Sequence, residues 1–325
     1  IKRSEFNLEC FGAERNYKLA AVLQNLPKDL KILNLSHTNL AEKSTGTTAG
    51  EGLRHIFKLL PKNLESLSLS NNNLSLHTSG DLKIGFSGLP KNLRILDISG
   101  NKFDTKHGPN LKNAFQSLPE RLEALDLSAN GLGEMDVQVL QDIIMHLPHQ
   151  LNCLDFSGNS LNKKNADQLA KILGSLKQGL KRLGLSRNYL GEMQIEHLIQ
   201  GLSAIPKTTE EIDISFNNLS IYDSEKLIRL AKSFNCDLKK LNLYGNNLGS
   251  IHGHGLIEFL KNLPTSIKSL NLSRNDLSQL RTKELEFFIR QMPRNITRLC
   301  LNLNDFGVAP TCLLYTSDAA DDTPC

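Results

Sequence analysis

The sequence contains no tryptophan, and aromatic residues make up only 6% of its 325 positions, so its core is not built on large rings. It has no apolar run near the ~18 residues that cross a bilayer, so a helical membrane span is excluded. Residues 1–20 lack a charged start, an apolar stretch and a small-residue cleavage site, so no secretory signal is visible. The chain opens at Ile1, in mid-pattern and without an initiator Met, and reads as a fragment. Six cysteines (Cys10, Cys153, Cys236, Cys300, Cys312 and Cys325) form no C-x-x-C pair and no zinc-like spacing with histidine. No Walker loop, G-x-G-x-x-G, H-E-x-x-H or G-x-S-x-G occurs. His252-Gly-His254 lacks a third ligand and reads as a solvated loop. Glu210 and Glu211 alternate along a strand and form no acid–base dyad. The chain is therefore read as a non-enzyme, with no metal, no cofactor and no catalytic residue. Its formal charge of +4 is too weak over so large a surface to argue for nucleic acid.

What is present is repetition. The stretch Leu122-Glu-Ala-Leu125-Asp-Leu127-Ser-Ala-Asn130-Gly-Leu132 returns at Leu151, Leu180, Thr209, Leu238, Ile267 and Ile296, 29 residues apart. Backwards it appears at Leu93 and Leu64, and at Leu30, 34 residues earlier. Ten copies in one register mean a solenoid.

Each unit has four parts. A short strand comes first, with Leu125 and Leu127 on one face because strand side chains alternate. The turn carries Asn at the same position in every copy except one: Asn72, Asn101, Asn130, Asn159, Asn188, Asn217, Asn246, Asn275 and Asn304, with Thr38 the exception. Its amide can both donate to and accept from backbone groups that have left the strand ladder, so a stacked, buried column is expected. A helix follows, as at Asp136–His146, where Leu140, Ile143, Ile144 and Leu147 form one stripe. The first stripe position is Leu in every unit, from Leu19 to Leu285. Proline then ends most helices, as at Pro119 and Pro148, and Lys177 and Asn235 replace it in two units.

The ladder matches L-x-x-L-x-L-x-x-N-x-L, and the chain resembles the leucine-rich repeat family over about residues 12–310. The implied class is α/β: a horseshoe-shaped solenoid of about ten 29-residue repeats. Parallel strands stack ~4.8 Å apart while helices need ~10 Å, so strands should line a concave face and helices a convex one. Repeats of this length are similar to the ribonuclease-inhibitor-like subclass. The LP-x-x-L…L-x-L-S-x-N-x-L phrasing is also similar to leucine-rich effectors that intracellular bacteria inject into host cells. Extracellular members usually cap their ends with cysteine clusters, absent here, so a cytoplasmic setting is expected, including a host cytosol. The sequons at Asn34, Asn73, Asn218, Asn271 and Asn295 mostly fall inside the repeat frame and say little about secretion.

Residues 1–29 read as a degenerate N-terminal repeat and residues 30–311 as the array. Residues 312–325 break the register, resemble a translated sequencing adapter and read as non-native. The stretch Ala41–Gly52 is longer than its counterparts and reads as a tolerated loop insertion rather than a partner contact.

Function is sought at positions the ladder leaves variable. Between the second and third ladder leucines, Asp97, Asp126 and Asp155 should stack as an acidic stripe whose charges raise one another's pKa. Arg182, Arg187, Glu211, Asp213, Lys240 and Arg298 follow, and Phe216 and Tyr244 lie on the same rim. Aromatic and arginine side chains dominate binding hot spots. These residues form the expected surface for a protein partner on the concave face of a monomer, with no membrane contact. A Ser column (Ser36, Ser70, Ser99, Ser128, Ser157, Ser186, Ser215 and Ser273) reads as framework. Two alternatives stand beside this reading. One is a leucine-rich GTPase-activating protein, for which no catalytic-support Arg or Asn loop can be assigned. The other is the targeting arm of a larger enzyme, whose repeats are usually shorter, ~20–22 residues.

Overall fold

The computed structural model describes residues 5–9, 16–41, 48–103, 108, 110–235, 237–251 and 253–306. Residues 42–47 of the long loop, His252 and the C-terminal stretch 312–325 lie outside that set. The chain divides into two compact units, Ile1–Asn159 with Ser175–Leu180, and Ser160–Gly174 with Lys181–Cys325.

In the first unit the order is β1 Glu5–Asn7, α1 Asn16–Gln24, β2 Ile32–Asn34, α2 Ala49–Lys58, β3 Ser66–Ser68 and α3 Ser79–Phe86. It continues with β4 Ile95–Asp97, α4 Leu111–Phe115, β5 Ala124–Asp126, α5 Val137–Met145 and β6 Cys153–Asp155. The strands pair in parallel and in chain order. The repeat length sets the register: Leu33, Leu67, Leu96, Leu125 and Leu154 are successive partners, all buried. Burying each such leucine is worth ~1.5–3 kcal/mol relative to exposure.

The second unit repeats the scheme. It contains α6 Ala166–Gly174, β7 Arg182–Gly184, α7 Ile195–Ser203, β8 Glu211–Asp213, α8 Ser224–Ser233, β9 Lys240–Asn242, α9 Gly253–Lys261, β10 Ser269–Asn271, α10 Thr282–Arg290 and β11 Arg298–Cys300. Its strands are again parallel and sequential.

Helix starts are specified locally. Asp136 caps α5 by accepting from the backbone N–H groups of Gln138 and Val139. Asn165 and Gln168 bond reciprocally at the start of α6, 3.0 and 3.1 Å. Such caps satisfy donors that have no intrahelical partner. The stripe Leu140, Ile143, Ile144 and Leu147 is buried. At α10 the pattern weakens: Leu285 is half-buried, and Phe288 is the buried residue. Among the described residues α10 packs on α9 and no later helix covers its other side.

After each helix the proline carbonyl accepts from the N–H three residues on, as in Leu122 to Pro119, 3.2 Å. The turn survives without proline. Leu180 donates to the Lys177 carbonyl and Leu238 to that of Asn235. Lys177 Nζ also donates to the Leu147 carbonyl, and Asn235 Nδ2 to that of Lys207.

The asparagines form the expected buried column in both units. In the first, Asn159 Oδ1 accepts from the N–H groups of Asn130 (2.9 Å) and Leu132 (3.1 Å), and its Nδ2 donates to the Leu127 carbonyl (3.0 Å). In the second, Asn217 treats Asn188, Leu190 and Leu185 the same way. Thr38 substitutes with one hydroxyl, which donates to the Leu35 carbonyl while its own N–H reaches Asn72 Oδ1.

Candidate partner-binding surface

With the leucines and asparagines buried, three sets of side chains remain on the outward face of the strands. One precedes the second ladder leucine, one follows it, and one precedes the asparagine.

The residue after the second ladder leucine has a structural duty that its variability conceals. In the first unit Asp97, Asp126 and Asp155 each accept from the N–H two residues on, at Ser99 (2.9 Å), Ser128 (2.7 Å) and Ser157 (2.8 Å). Asn34 and, in the second unit, Asp213, Asn242 and Asn271 make the same bond. A short side-chain acceptor at this spacing is the Asx-type solution to an orphan turn N–H. At these seven positions Asp or Asn serves the turn, and the two differ in charge.

That charge has a cost at Asp126. Pairing in register places Asp97, Asp126 and Asp155 side by side. Burial pushes the Asp126 carboxyl above its ordinary range, and the charges of Asp155 and Asp97 push it further, against the Ser128 hydrogen bonds that lower it. Mutual repulsion is thus present, but desolvation leads. The residues preceding the second ladder leucine in this unit are Ile32, Ser66, Ile95, Ala124 and Cys153, with Ile32 and Ile95 exposed. The first unit thus offers an acidic stripe beside a largely apolar one.

The second unit is arranged differently. Glu211 sits between Arg182 and Lys240, its carboxylate 3.8 Å from Arg182 Nε and 2.7 Å from Lys240 Nζ. One residue earlier, Glu210 bridges Lys181 (2.8 Å) and Lys239 (2.7 Å), whose hydrogen bonds hold it down to about 2. These pairs are exposed to water and salt and contribute little stability. Asp213 Oδ2 accepts from Asn242 Nδ2, 2.9 Å. Arg298 is exposed on β11.

The position before each asparagine is the most informative. Asn71, Ala129, Arg187, Phe216, Arg274 and Leu303 there, and His37 before Thr38, all have φ of 52 to 57°, and Gly100, Gly158 and Gly245 have 65 to 66°. This left-handed conformation suits Gly and Asn, and a bulky residue adopts it at a cost of ~1–3 kcal/mol. Phe216 occupies it nonetheless. Its ring lies edge-to-face with Tyr244, centroids 5.0 Å apart. Arg187 Cζ is over the ring at 4.0 Å from the centroid, and Arg274 Cζ at 5.6 Å.

Two departures from the frame admit this ring. Tyr244 stands where Ser36, Ser70, Ser99, Ser128, Ser157, Ser186, Ser215 and Ser273 stand elsewhere. Gly245 leaves room, since a Cβ there would lie 2.7 Å from both Cδ1 and Cε1 of Phe216. Sequence reading selects Arg187, Phe216 and Tyr244 but omits Arg274 and Gly245 from the site. The recurrence of Gly and Asn at Asn71, Gly100, Gly158 and Gly245 was the available signal for a left-handed column.

His254 is an exposed residue of α9. Among the described residues, no group of three or more His, Cys, Asp or Glu side chains is placed to hold a metal ion, and no helix is long and apolar enough to cross a membrane.

Strand, asparagine turn and helix, repeated in one register, make up a leucine-rich repeat fold. The family model described as Leucine Rich Repeat matches residues 63–89 and 92–114. By sequence alone, no curated protein matches the chain. The fold is similar to that of the leucine-rich repeat-containing protein LegL7 from Legionella pneumophila, with a TM-score of 0.71 and 24% identity, covering 94% of this chain and 91% of that one. It is also similar to a chain of the Rad7–Elc1 complex of yeast, with a TM-score of 0.52 and 19% identity, covering 89% and 67%.

Proposed function

We propose that the chain is a protein-interaction module that binds a protein partner through the outward face of its strands. The observation that carries this reading is the cluster of Phe216, Tyr244, Arg187 and Arg274. A frame optimised only for stability has no reason to place phenylalanine in the left-handed region at Phe216 or tyrosine in the serine column. Aromatic and arginine side chains grouped on a surface are the usual anchors of a protein interface.

Two patches follow. Asp97, Asp126 and Asp155 form an acidic one on the first unit. Arg182, Arg187, Glu211, Asp213, Phe216, Lys240, Tyr244 and Arg298 contribute the other on the second. The leucine-rich repeat fold itself supports binding rather than catalysis. Similarity in fold to a chain from the yeast Rad7–Elc1 complex, a protein–protein assembly by its name, is in keeping with that. An effector-like or inhibitor-like role in a host cytosol is part of this proposal, and likeness in fold to a leucine-rich repeat-containing protein of Legionella pneumophila is in keeping with it.

The test is affinity purification of a partner from host-cell lysate, followed by measurement of its binding to wild type and to two variants. One is Phe216→Ala/Tyr244→Ala and the other Asp126→Asn/Asp155→Asn, which keeps the turn acceptors. Loss of about tenfold or more in affinity in at least one variant is expected for a hot-spot truncation, with unchanged circular dichroism. A partner held equally by both variants and released only by substitutions on the helices would sink the strand-face reading.

A further inference from the structure

We infer that the surface around Phe216 receives an acidic segment of the partner protein, its carboxylates on Arg187 and Arg274 and an apolar side chain against Phe216 and Tyr244. This rests on the protein-binding reading and names the chemistry of what is bound.

Charge pairing within the second unit is selective. Arg182, Lys240, Lys181 and Lys239 each pair with a carboxylate, Glu211 or Glu210. Arg187 and Arg274 lie on the same face, are exposed, and form no ion pair with a carboxylate among the described residues. The sheet's own acids are thus used on one column and withheld from the other.

The ring also holds both guanidinium groups by cation–π attraction. A guanidinium held with its face to an aromatic ring keeps its in-plane N–H donors directed outward, where they match a carboxylate in bidentate geometry. Arg187 and Arg274 are both drawn to one ring, and no acid is paired with either among the described residues. An incoming carboxylate supplies that acid, so complementarity favours acid over a neutral or basic segment.

The ring is seated for this purpose. Gly245 has φ +66°, and Ala129 holds the same frame position at φ 54°, so the backbone tolerates a Cβ there. What forbids one at Gly245 is Phe216 itself. Glycine is therefore required by the ring, not by the turn.

A random peptide library displayed on phage is selected in parallel on the full chain and on its Arg187→Gln/Arg274→Gln variant. Sequences enriched on wild type over the variant are expected to carry Asp or Glu beside Phe, Leu or Met. As synthetic peptides in fluorescence anisotropy they should bind each single Gln variant about tenfold more weakly, the loss of one charge-assisted contact. They should also weaken with added salt and fail when their Glu is exchanged for Gln. Gly245→Ala, which keeps both arginines, should weaken them too, and circular dichroism shows whether each variant is folded. Enriched peptides that lack acid but need Phe216 would overturn this inference and leave the protein-binding reading standing. Equal recovery on both proteins overturns it outright. So does an oligonucleotide or inorganic phosphate that binds at Arg187 and Arg274 as tightly as the acidic peptides.

Discussion

The two units share a frame and differ in what they display. Both bury an aliphatic ladder, broken in the second unit at Thr209, and an asparagine column, broken in the first at Thr38. Beside β4, β5 and β6 the first unit shows three carboxylates that repel one another, next to exposed Ile95. Beside β7, β8 and β9 the second shows cations ion-paired to a shared carboxylate, and then a phenylalanine ring with two arginines over it and no acid. The interior dictates fold identically in both, so the difference resides in surface chemistry. Only a partner, or chance, has reason to preserve it.

The largest expected effects test the identity of the interiors. Asn130→Ala in the first unit and Asn217→Ala in the second each strip several buried hydrogen bonds and leave their backbone partners unsatisfied. Each should cost ~3 kcal/mol or more, and the two costs should agree within about 1 kcal/mol. Urea denaturation measures both. A much smaller loss in one unit would show that the frames are not equivalent.

Next in size is the glycine pair. Gly245→Ala should cost ~1–3 kcal/mol, because the new methyl drives the Phe216 ring from its seat. Gly158→Ala meets nothing closer than 3.6 Å and has Ala129 as its precedent, so it should cost less, ~1 kcal/mol or below. Combining Gly245→Ala with Phe216→Ala should return part of the loss. Strict additivity in that double-mutant cycle would mean that the ring is not what excludes a side chain from Gly245.

These cases also show where sequence reading succeeds. Leucine at a pitch of 29 residues can satisfy only stacked strands, so the fold, the helices and the asparagine column were legible without coordinates. Legibility fails where one position serves two masters. Asp97, Asp126 and Asp155 look unconstrained because Ser, Asn and Gly also occur there, yet most of these residues accept the same turn N–H. The left-handed column is hidden similarly. Its residues run from Gly to Phe, and the sign of φ is a backbone property that no single side chain announces. Arg274 was overlooked as part of a site because its partner, Phe216, lies two repeats away in sequence and is adjacent only once the strands stack.

A smaller effect concerns Thr209. It holds the ladder position that is leucine throughout the first unit, is fully buried, and its hydroxyl has no hydrogen-bond partner among the described residues. Thr209→Val removes that unsatisfied group at nearly constant volume and should stabilise by ~1 kcal/mol. The reverse change in the first unit, Leu122→Thr, should destabilise by ~2 kcal/mol or more. Thermal unfolding of the two variants compares the units at one position. A destabilising Thr209→Val would imply that the hydroxyl is bonded after all.

The smallest effect isolates the surface contrast itself. Asp126→Asn keeps the acceptor for the Ser128 N–H, as Asn34, Asn242 and Asn271 do at the same position, and removes the charge. Because the folded carboxyl titrates above its ordinary value, the folded chain holds the Asp126 proton more tightly than the unfolded chain. Stability from this group is therefore greatest at low pH, where the carboxyl is protonated, and falls as pH rises from the ordinary carboxylate pKa through the raised one. At neutral pH the Asn variant should be the more stable by about 0.5 kcal/mol or less, given the group's partial exposure and salt screening. The advantage should vanish on acidification below the ordinary carboxylate range. Asp213→Asn supplies the contrast: Asp213 has no in-register acidic neighbour, since Gly184 and Asn242 flank it, and its second oxygen accepts from Asn242. That substitution should bring no comparable gain. Equal gains at Asp126 and Asp213 would mean that the acidic stripe of the first unit is not electrostatically distinct from the second.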